Sequence, residues 1–444
     1  MRALIVCYVF PPAGGAGVQR ALKLVKYLPQ HGVTPTVLTA KNPSVPLQDA
    51  SLGRDVPPFT EVLRARTFEP AYGAKKLAWE AVASGTNQSF GLKRRLVRVG
   101  RRLLVPDPQL LWLPAAGWTL SRRLCSRRAD DVVLISGPPF SQFLLAGLAR
   151  LRRGTAVVLD YRDEWTTISS AYEMSGSHRA GKLLEQAVLR CAHAVTTATD
   201  EFRAALLSRY PFLHPERVVS IPNGYDSDDF PEPLPAPTAT SSRFVLTYTG
   251  TVFRLTSARG LLQGVRLLNE REPELAKLLE IRFIGRIVDT ELDYFEGSES
   301  LGVRRLGYLE HRDALAQLAA SHAALCILDD VSAVERIYPA KIFEIMRLGR
   351  PCLALTPEGA LSRLVRRHRL GEVVAPRDSE AIAANLARML REFRDGVFAV
   401  ESSPLDIERF DRRLQAGQFA EVFRAAQAVA RREASPHAHV GFSS

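Results

Sequence analysis

The sequence has few cysteines, and the five that it contains are scattered along 444 residues. They are Cys7, Cys125, Cys191, Cys326 and Cys352, and no two of them form a C-x-x-C pair. Because structural zinc sites need clustered ligands and disulfide frameworks need paired cysteines, neither is predicted. Most of these residues stand in apolar runs, where a thiol behaves as a small buried side chain. We therefore expect a protein of a reducing compartment such as the cytoplasm.

Long apolar runs are missing as well, because no stretch approaches the roughly 18 residues that a membrane-spanning helix needs. The start of the chain, with the apolar run Ala3–Phe10 before a glycine-rich segment at 11–17, has the outline of a signal peptide. The alternative is a buried first strand that ends in a glycine-rich loop. We favour the strand, because the run is short and an amphipathic helix follows at once. The sequence thus predicts a soluble chain, at most peripheral to a membrane.

Acidic residues are almost missing from one segment, Gly91–Arg128, in which Asp107 is the only acid. The segment holds ten basic residues, and these account for most of the net charge of +12: Lys93, Arg94, Arg95, Arg98, Arg101, Arg102, Arg122, Arg123, Arg127 and Arg128. They are interleaved with aliphatic residues, Trp112 and Trp118. The pattern fits a surface for an anionic membrane or acidic partner, and it fits a solvated helix face equally well. A nucleic-acid partner is not expected, because no motif of a nucleic-acid-binding fold is present.

Short apolar runs alternate with helical patterns in two blocks, which predicts parallel sheets that helices cover on both faces. In the first block, strands are predicted at Ala3–Phe10, Thr34–Thr39, Val132–Ser136, Ala156–Asp160, Ala194–Thr197 and Val218–Pro222. In the second block, they are predicted at Phe244–Tyr248, Ile281–Ile284, Val303–Leu306, Ala324–Leu328, Cys352–Leu355 and Val373–Val374. Helices are predicted at Val18–Leu28, Ser141–Leu151, Lys182–Cys191, Arg259–Asn269, Arg312–Ala320, Ala340–Leu348, Ala360–Arg367 and Glu380–Phe393.

A proline-rich segment at 231–242 separates the two blocks and is typical of a semi-rigid linker. The predicted fold class is therefore α/β, with two doubly wound Rossmann-like domains at 1–230 and 243–405 that face one another across a ligand-binding cleft. A helical stretch is predicted at 406–432, and the tail at 433–444 is expected to be disordered.

A glycine-rich segment follows the first predicted strand, where Gly14, Gly15 and Gly17 precede a helix. Glycines let the backbone approach a ligand closely, and a helix N-terminus attracts an anion. The spacing is not G-x-G-x-x-G, so a dinucleotide site is not expected.

A second motif, Asp160-Tyr161-Arg162-Asp163-Glu164-Trp165, ends another strand. Charges crowded at a strand end are costly unless they serve a site or pair with one another. Two interpretations stay open: a functional site, or a structural clasp in which Arg162 pairs with neighbouring carboxylates.

A third motif begins a helix after Pro339, where Lys341 and Glu344 project from one face. A cation beside free N–H groups can hold a phosphate, and a carboxylate can accept two ribose hydroxyls.

Taken in order, these motifs resemble those of a family 4 glycosyltransferase with the GT-B fold, over about residues 1–400. The segments that carry the resemblance are 11–17, Asp160–Trp165, Ile221–Asp226, Tyr248–Gly250, Phe283–Gly285, Leu306–Tyr308 and Pro339–Glu344. The resemblance implies a nucleotide-sugar donor in the C-terminal domain, an acceptor in the N-terminal domain, and transfer with retention and without a metal. It also implies that the helices at 406–432 cross back onto the N-terminal domain.

The resemblance assigns roles to individual positions. Glu344 is expected to bind the donor ribose, and Arg254 and Arg259 to grip the diphosphate with Lys341. The other expected donor-binding residues are Gly14, Gly15, Gly17, Gly250, Gly285, Arg286, Tyr308, Leu309, Tyr338, Pro339 and Ala340. The expected acceptor-side residues are Phe140, Asp160, Arg162 and Asp163.

The chain departs from the family pattern at two positions. Arg336 stands where members often have a first glutamate, with Glu335 one step away, and Phe140 stands where many members have a histidine. A D-x-D-like run at 226–228 is discounted as a metal site because it lies in the linker turn. The expected activity is a metal-independent hexosyl transfer in the synthesis of cell-surface polysaccharide, glycolipid or a related glycoconjugate.

Two other functions stay open from the sequence. One is a nucleotide-sugar 2-epimerase of the same fold, and the other is a non-catalytic peripheral binding protein with a degenerate cleft. The expected location is the cytoplasm, with the inner face of the membrane as one place within it.

Overall fold

The computed structural model describes residues 1–73, 104–126, 130–166, 178–233 and 242–435. The chain divides into an N-terminal unit, Met1–Ile221 with Gln415–Ser444, and a C-terminal unit, Pro222–Leu414. The division falls before the boundary expected near residue 230, because the intervening segment packs in the C-terminal unit. There the backbone N–H of Tyr225 donates to Phe410 O at 3.1 Å. Most of the segment predicted as a linker lies outside the described residues.

The N-terminal unit contains a parallel sheet of seven strands in the order β3-β2-β1-β4-β5-β6-β7. The strands are β1 (Arg2–Val6), β2 (Thr34–Ala40), β3 (Glu61–Ala65), β4 (Val132–Gly137), β5 (Ala156–Tyr161), β6 (Ala194–Thr197) and β7 (Val218–Ser220). The sequence missed β3, because an edge strand is only partly buried and lacks a continuous apolar run. The first strand is shorter than predicted. It ends at Val6, and the backbone N–H of Tyr8 donates to the Gln142 side chain instead of to a strand.

The C-terminal unit contains a parallel sheet of six strands in the order β10-β9-β8-β11-β12-β13. The strands are β8 (Phe244–Thr249), β9 (Leu279–Ile284), β10 (Val303–Gly307), β11 (Ala323–Ile327), β12 (Cys352–Leu355) and β13 (Gly371–Val374). In both sheets the strand order reverses beside the first strand, which is the doubly wound arrangement. Ligands of such sheets bind outside the carboxyl ends of the strands at this reversal. The predicted α/β class with two doubly wound sheets is confirmed.

Helices cover both sheets. In the N-terminal unit they are α1 (Ala16–Tyr27), α2 (Leu113–Leu124), α3 (Leu145–Arg150), α4 (His178–Cys191) and α5 (Asp200–Arg209). In the C-terminal unit they are α6 (Arg259–Arg271), α7 (Pro273–Ala276), α8 (Asp289–Leu292), α9 (His311–Ala319), α10 (Lys341–Leu348), α11 (Ala360–Arg367) and α12 (Ser379–Arg394). The helix α13 (Arg412–Ala434) belongs to the N-terminal unit from Gln415 onward.

The return of α13 to the N-terminal unit follows from its apolar face. Ala416, Phe419, Ala420 and Phe423 are buried in the cluster that covers one face of the seven-stranded sheet. Within the described parts of the chain, no helix combines the length and the hydropathy that a membrane span requires.

The basic segment predicted as an interaction surface is only partly within the described residues, which exclude 91–103 and 127–128. Arg123 is held in place by ion pairs at 2.8 Å with Asp130 and with Glu61. Trp112 is buried, and its indole N–H donates to Ala65 O at 3.2 Å. Trp118 on α2 is 68% exposed. Arg123 and Trp112 therefore serve the fold, and Trp118 is free for a surface role.

Candidate functional site

The loops that follow β8 and β9 meet at the carboxyl edge of the C-terminal sheet. The backbone N–H of Gly250 donates to Ile284 O at 2.8 Å, and that of Gly285 donates to Gly307 O at 2.7 Å. Gly250 and Gly285 have φ values of 118° and 130°, which L side chains rarely adopt. A Cβ on Gly285 would lie 2.3 Å from Gly250 O, so this approach is open only to glycine. Gly250 and Gly285, both predicted from the sequence, thus form a backbone surface without side chains, which we call the glycine floor.

Lys341 begins α10 and reaches this floor. Its Nζ lies 3.4 Å from the centroid of the Tyr248 ring, and a Cβ on Gly250 would be only 3.1 Å from it. Within the described part of the chain, the ammonium group makes no hydrogen bond or ion pair. Burial lowers the pKa of Lys341 to about 7, although the charge of Glu344 opposes this shift. A half-buried cation beside a helix N-terminus is suited to bind an anion, which would restore its charge.

Glu344 lies in the first turn of the same helix and has a partner that the sequence did not reveal. Its Oε1 is 2.9 Å from Nε2 of His311, the first residue of α9. Nδ1 of His311 faces Oδ2 of Asp229 at 3.7 Å. The imidazole therefore stands between two carboxylates. The sequence signal for it was a histidine that opens a helix just after the loop bearing Tyr308.

Of the two arginines expected at the diphosphate, Arg254 lies on the loop after β8 and Arg259 begins α6. Arg254 and Arg259 are both exposed, and the guanidinium of Arg259 lies 5.6 Å from the centroid of the Tyr294 ring. The loop is held at its base, because the Ser257 hydroxyl donates to Glu291 at 2.6 Å. The structure thus places both cations at the expected edge of the sheet, on the protein surface.

The remaining predicted donor residues occupy the neighbouring loops. Tyr308 follows β10 and is 38% exposed, and Leu309 beside it is half-buried. The ring of Tyr338 packs edge-on against that of Phe343, with 6.0 Å between the centroids. Pro339 and Ala340 lead into α10, where Pro339 O accepts the N–H of Ile342, and the half-buried Arg286 follows the Gly285 turn. Their contact with a donor stays a prediction.

The departure at Arg336 has a local structural basis. Its guanidinium donates to Glu335 at 2.9 Å, within a short helical turn at Val334–Arg336. This turn lies against Gly359, where a Cβ would come within 2.6 Å of the Glu335 Cα. The two side chains therefore pair with each other on a turn whose position Gly359 permits.

Asp160 is buried within the N-terminal sheet and is fully engaged. Arg20 donates to both of its oxygens at 2.8–3.1 Å, and the hydroxyls of Ser136 and Thr196 donate at 2.6 and 2.7 Å. Burial alone would raise the pKa of Asp160, but the charge and hydrogen bonds of Arg20, with the two hydroxyls, bring it below its ordinary value. The clasp considered from the sequence, in which Arg162 pairs with neighbouring carboxylates, is not what the structure shows: the cation that pairs with Asp160 is Arg20. These contacts give Asp160 a structural role, and its expected acceptor-side role stays a prediction.

Arg162 ties together the loops that follow β1 and β4. Its guanidinium donates to the backbone oxygens of Gly137, at 3.3 Å, and of Pro138 and Gly17. Gly15 precedes α1 with φ at 94°, and Gly14 donates its N–H to Leu47 O at 3.1 Å. Arg162 therefore shapes the predicted glycine loop instead of pairing with the carboxylates.

Phe140 and Asp163 complete the predicted acceptor-side set. Phe140 is buried and stacks on Trp165, with 5.4 Å between parallel rings, so it offers packing and no polar group. Asp163 is half-buried, and within the described residues its side chain has no hydrogen bond. Burial raises the pKa of Asp163, with Arg162 acting in the opposite direction. Of this set, Asp163 alone keeps a carboxylate available for a ligand.

The D-x-D-like run forms a turn. The side chain of Asp226 accepts the N–H of Asp228 at 3.1 Å, and the carboxylate of Asp228 pairs with Arg413. Both side chains thus have partners within the C-terminal unit.

Comparisons with known proteins agree with this architecture. Residues 14–224 match the family model of the glycosyl transferase 4-like domain, and residues 243–392 match that of the glycosyl transferases group 1. A search of curated protein sequences gave no match.

Three solved structures illustrate the similarity of fold. Sucrose-phosphate synthase from Thermosynechococcus elongatus has a TM-score of 0.62 at 15% identity, over 96% of this chain and 99% of that one. The HepE protein of Anabaena in complex with UDP-glucose has a TM-score of 0.54 at 14% identity, over 98% of both chains. The protein TarM has a TM-score of 0.60 at 8% identity, over 95% of this chain and 98% of that one. With both of its domains matched and its two doubly wound sheets in place, the chain belongs to the family 4-like glycosyltransferases of the GT-B fold.

Proposed function

We propose that the protein is a retaining glycosyltransferase that moves a hexosyl group from a nucleotide-sugar, bound in the C-terminal unit, to an acceptor bound in the N-terminal unit. One observation carries the proposal: the ammonium group of Lys341, without an ionic partner among the described residues, lies over a glycine floor. Three residues further along the helix, the carboxylate of Glu344 is ordered by His311. A cation and a carboxylate at this spacing suit a diphosphate and a ribose.

A nucleotide-sugar donor has independent support. The HepE protein of Anabaena, which shares this fold, has been solved with UDP and with UDP-glucose. This likeness concerns the fold and supports a nucleotide-sugar as the class of donor.

The cations of the C-terminal unit supply the main electrostatic requirement of the reaction. Negative charge develops on the departing diphosphate, and Lys341 with the N-terminus of α10 can stabilise it. Arg254 on the neighbouring loop and Arg259 at the start of α6 add charge. With these cations at the diphosphate, we propose a transfer that requires no metal ion. For retention, the leaving phosphate serves as the base for the incoming hydroxyl, which requires no carboxylate pair of the glycosidase type.

The acceptor side rests on Asp163, whose carboxylate is available to hold an acceptor hydroxyl. We propose a role in cell-surface polysaccharide, glycolipid or related glycoconjugate synthesis at the cytoplasmic face of a membrane. The exposed Trp118, close in sequence to Arg122 on α2, supports contact with an anionic surface. A centrifugation assay with anionic and neutral vesicles tests this part, and equal binding to both would contradict it.

Release of nucleoside diphosphate tests the proposed activity. The protein is incubated with UDP-, GDP-, ADP- and TDP-sugars, alone and with glycan acceptors. Lys341→Met is expected to abolish release, and the exposed Lys277→Met, in the same unit, is expected to retain it. A folded protein that neither binds nor turns over any of these donors would overturn the proposal.

The same assay separates the two alternatives. A changed nucleotide-sugar formed without any acceptor would indicate the 2-epimerase. Unchanged cellular function in Glu344→Gln and Arg254→Ala variants would indicate the non-catalytic binding protein.

A further inference from the structure

We infer that His311 is a positioning residue for nucleoside recognition: it holds the carboxylate of Glu344 in the orientation that accepts the two ribose hydroxyls. This inference rests on the proposed function, because it concerns the same donor site. It adds a residue that the sequence motifs did not single out.

The histidine lies between three elements of the C-terminal unit. It opens α9, Glu344 lies in the first turn of α10, and Asp229 ends the short helical turn Ser227–Asp229. Nε2 of His311 is 2.9 Å from Glu344 Oε1, and Nδ1 is 3.7 Å from Asp229 Oδ2. Each ring nitrogen faces a carboxylate, whereas a 180° flip of the imidazole would turn ring carbons towards them, so the two carboxylates favour this orientation.

Asp229 is a firm anchor for the ring. It is 5% exposed, whereas His311 and Glu344 are 20% and 21% exposed. Its backbone N–H donates to Asp226 O at 3.1 Å. The segment that carries it is tied to α9, since Arg312 donates to Asp228 O at 3.3 Å. The buried aspartate thus lies within ionic range of one edge of the ring, and the histidine presents its other edge to the more accessible Glu344.

The arrangement suits a carboxylate that must bind a diol. An ionised carboxylate has about four acceptor positions on its two oxygens, so one bond from His311 leaves the others for hydroxyls. Without the histidine, Glu344 would be free to change rotamer. Nucleoside binding would then lose the conformational entropy of ordering this side chain. Glu344 would also lose a group that lies between its charge and that of Asp229.

The position of His311 also connects two parts of the nucleoside site. It lies three residues after Tyr308, on the loop expected to border the base. One hydrogen bond therefore joins the loop that bears Tyr308 to the carboxylate of Glu344. A movement of either one would displace the other.

Isothermal titration with UDP, GDP and ADP, with their 2′-deoxy counterparts and with inorganic pyrophosphate tests the inference. For His311→Ala we expect the Kd of the ribonucleotide to rise roughly tenfold, as for loss of one charge-assisted hydrogen bond. The preference for ribose over 2′-deoxyribose should shrink, and pyrophosphate affinity should not change. His311→Gln, whose amide can still donate to Glu344, should recover most of the preference.

His214→Ala, at an exposed histidine of the N-terminal unit, is the matched control. A His311→Ala variant with an unchanged preference for ribose overturns the inference and leaves the proposed function standing. An equal loss of pyrophosphate affinity also overturns it, because that result indicates general damage to the site. A wild-type protein that binds none of the nucleotides overturns both proposals.

Discussion

The ammonium group of Lys341 lies over the face of the Tyr248 ring, 3.4 Å from its centroid. Tyr248 is fully buried, and its hydroxyl donates to Thr251 O at 2.9 Å, so the ring has a fixed orientation. The negative face of the ring stabilises the cation while the ligand is absent. Tyr248, near the end of β8, thus stabilises the positive charge of Lys341 at the start of α10.

Replacing the ring should weaken donor binding. In Tyr248→Leu the cation–π contact is lost, and with it about 0.5–2 kcal/mol, so the Kd for nucleoside diphosphate should rise roughly 2- to 30-fold. Tyr248→Phe retains the ring face and is the control. Equal affinity in the Leu and Phe variants would show that the ring does not support Lys341.

Diphosphate binding should depend on pH through Lys341. Its pKa is lowered to about 7 by burial, so a large share of the free protein carries a neutral amine above that pH. Because a diphosphate binds the charged form, affinity should fall as pH rises from 6.5 to 8.5, with proton uptake on binding. Titrations in buffers of different ionisation enthalpy measure the uptake.

Lys341→Arg is the control for this dependence, because arginine stays charged throughout the range. Its affinity should be nearly independent of pH above 7. The same slope in this variant as in the wild type would assign the dependence to another group.

The glycine floor should tolerate no side chain at Gly285. In Gly285→Ala a methyl group would lie 2.3 Å from Gly250 O at a φ of 130°, and we expect a loss of about 3–4 kcal/mol in the free energy of unfolding. Gly307→Ala is the comparison, since φ is 72° but no atom lies within 4 Å, and its cost should be about 1–2 kcal/mol. Urea denaturation measures both. Equal costs would refute the close approach.

Asp160 should matter for stability. Asp160→Ala removes the partner of a buried guanidinium, and the free energy of unfolding should fall by about 3–5 kcal/mol. The exposed pair Arg271–Glu380 offers a contrast, because Glu380→Ala should leave the unfolding midpoint unchanged. A stable Asp160→Ala protein with a raised acceptor KM would return Asp160 to the acceptor site.

Asp163 should act on the acceptor alone. Asp163→Asn keeps the shape of the side chain and removes its charge, so the acceptor KM or kcat should change while the Kd for nucleoside diphosphate does not. Glu164→Gln makes the same change of charge at the next position, where the side chain is buried, and serves as the comparison. Unaltered transfer kinetics in Asp163→Asn would exclude this carboxylate from the acceptor site.

The sequence predicted the buried strands well, because parallel strands that helices cover on both faces are continuous apolar runs. It missed Glu61–Ala65, where a partly exposed edge strand shows no such run. It located Lys341 and Glu344, since their spacing on one helix is a local property.

Contacts between residues that are far apart in the chain could not be predicted from such local patterns. Asp160 pairs with Arg20, 140 positions away, and Glu344 pairs with His311, 33 positions away. One interpretation of the sequence paired Arg162 with neighbouring carboxylates. Its guanidinium instead donates to backbone carbonyl groups that only the folded chain brings together. Packing of separate elements decides these contacts, and no spacing along the chain encodes them.

A crystal structure with a bound nucleoside diphosphate tests the central claim most directly. The account predicts a phosphate oxygen within about 3 Å of Lys341 Nζ and the ribose hydroxyls at a similar distance from the Glu344 carboxylate. A nucleotide bound elsewhere, with Lys341 and Glu344 free of contact, would contradict it.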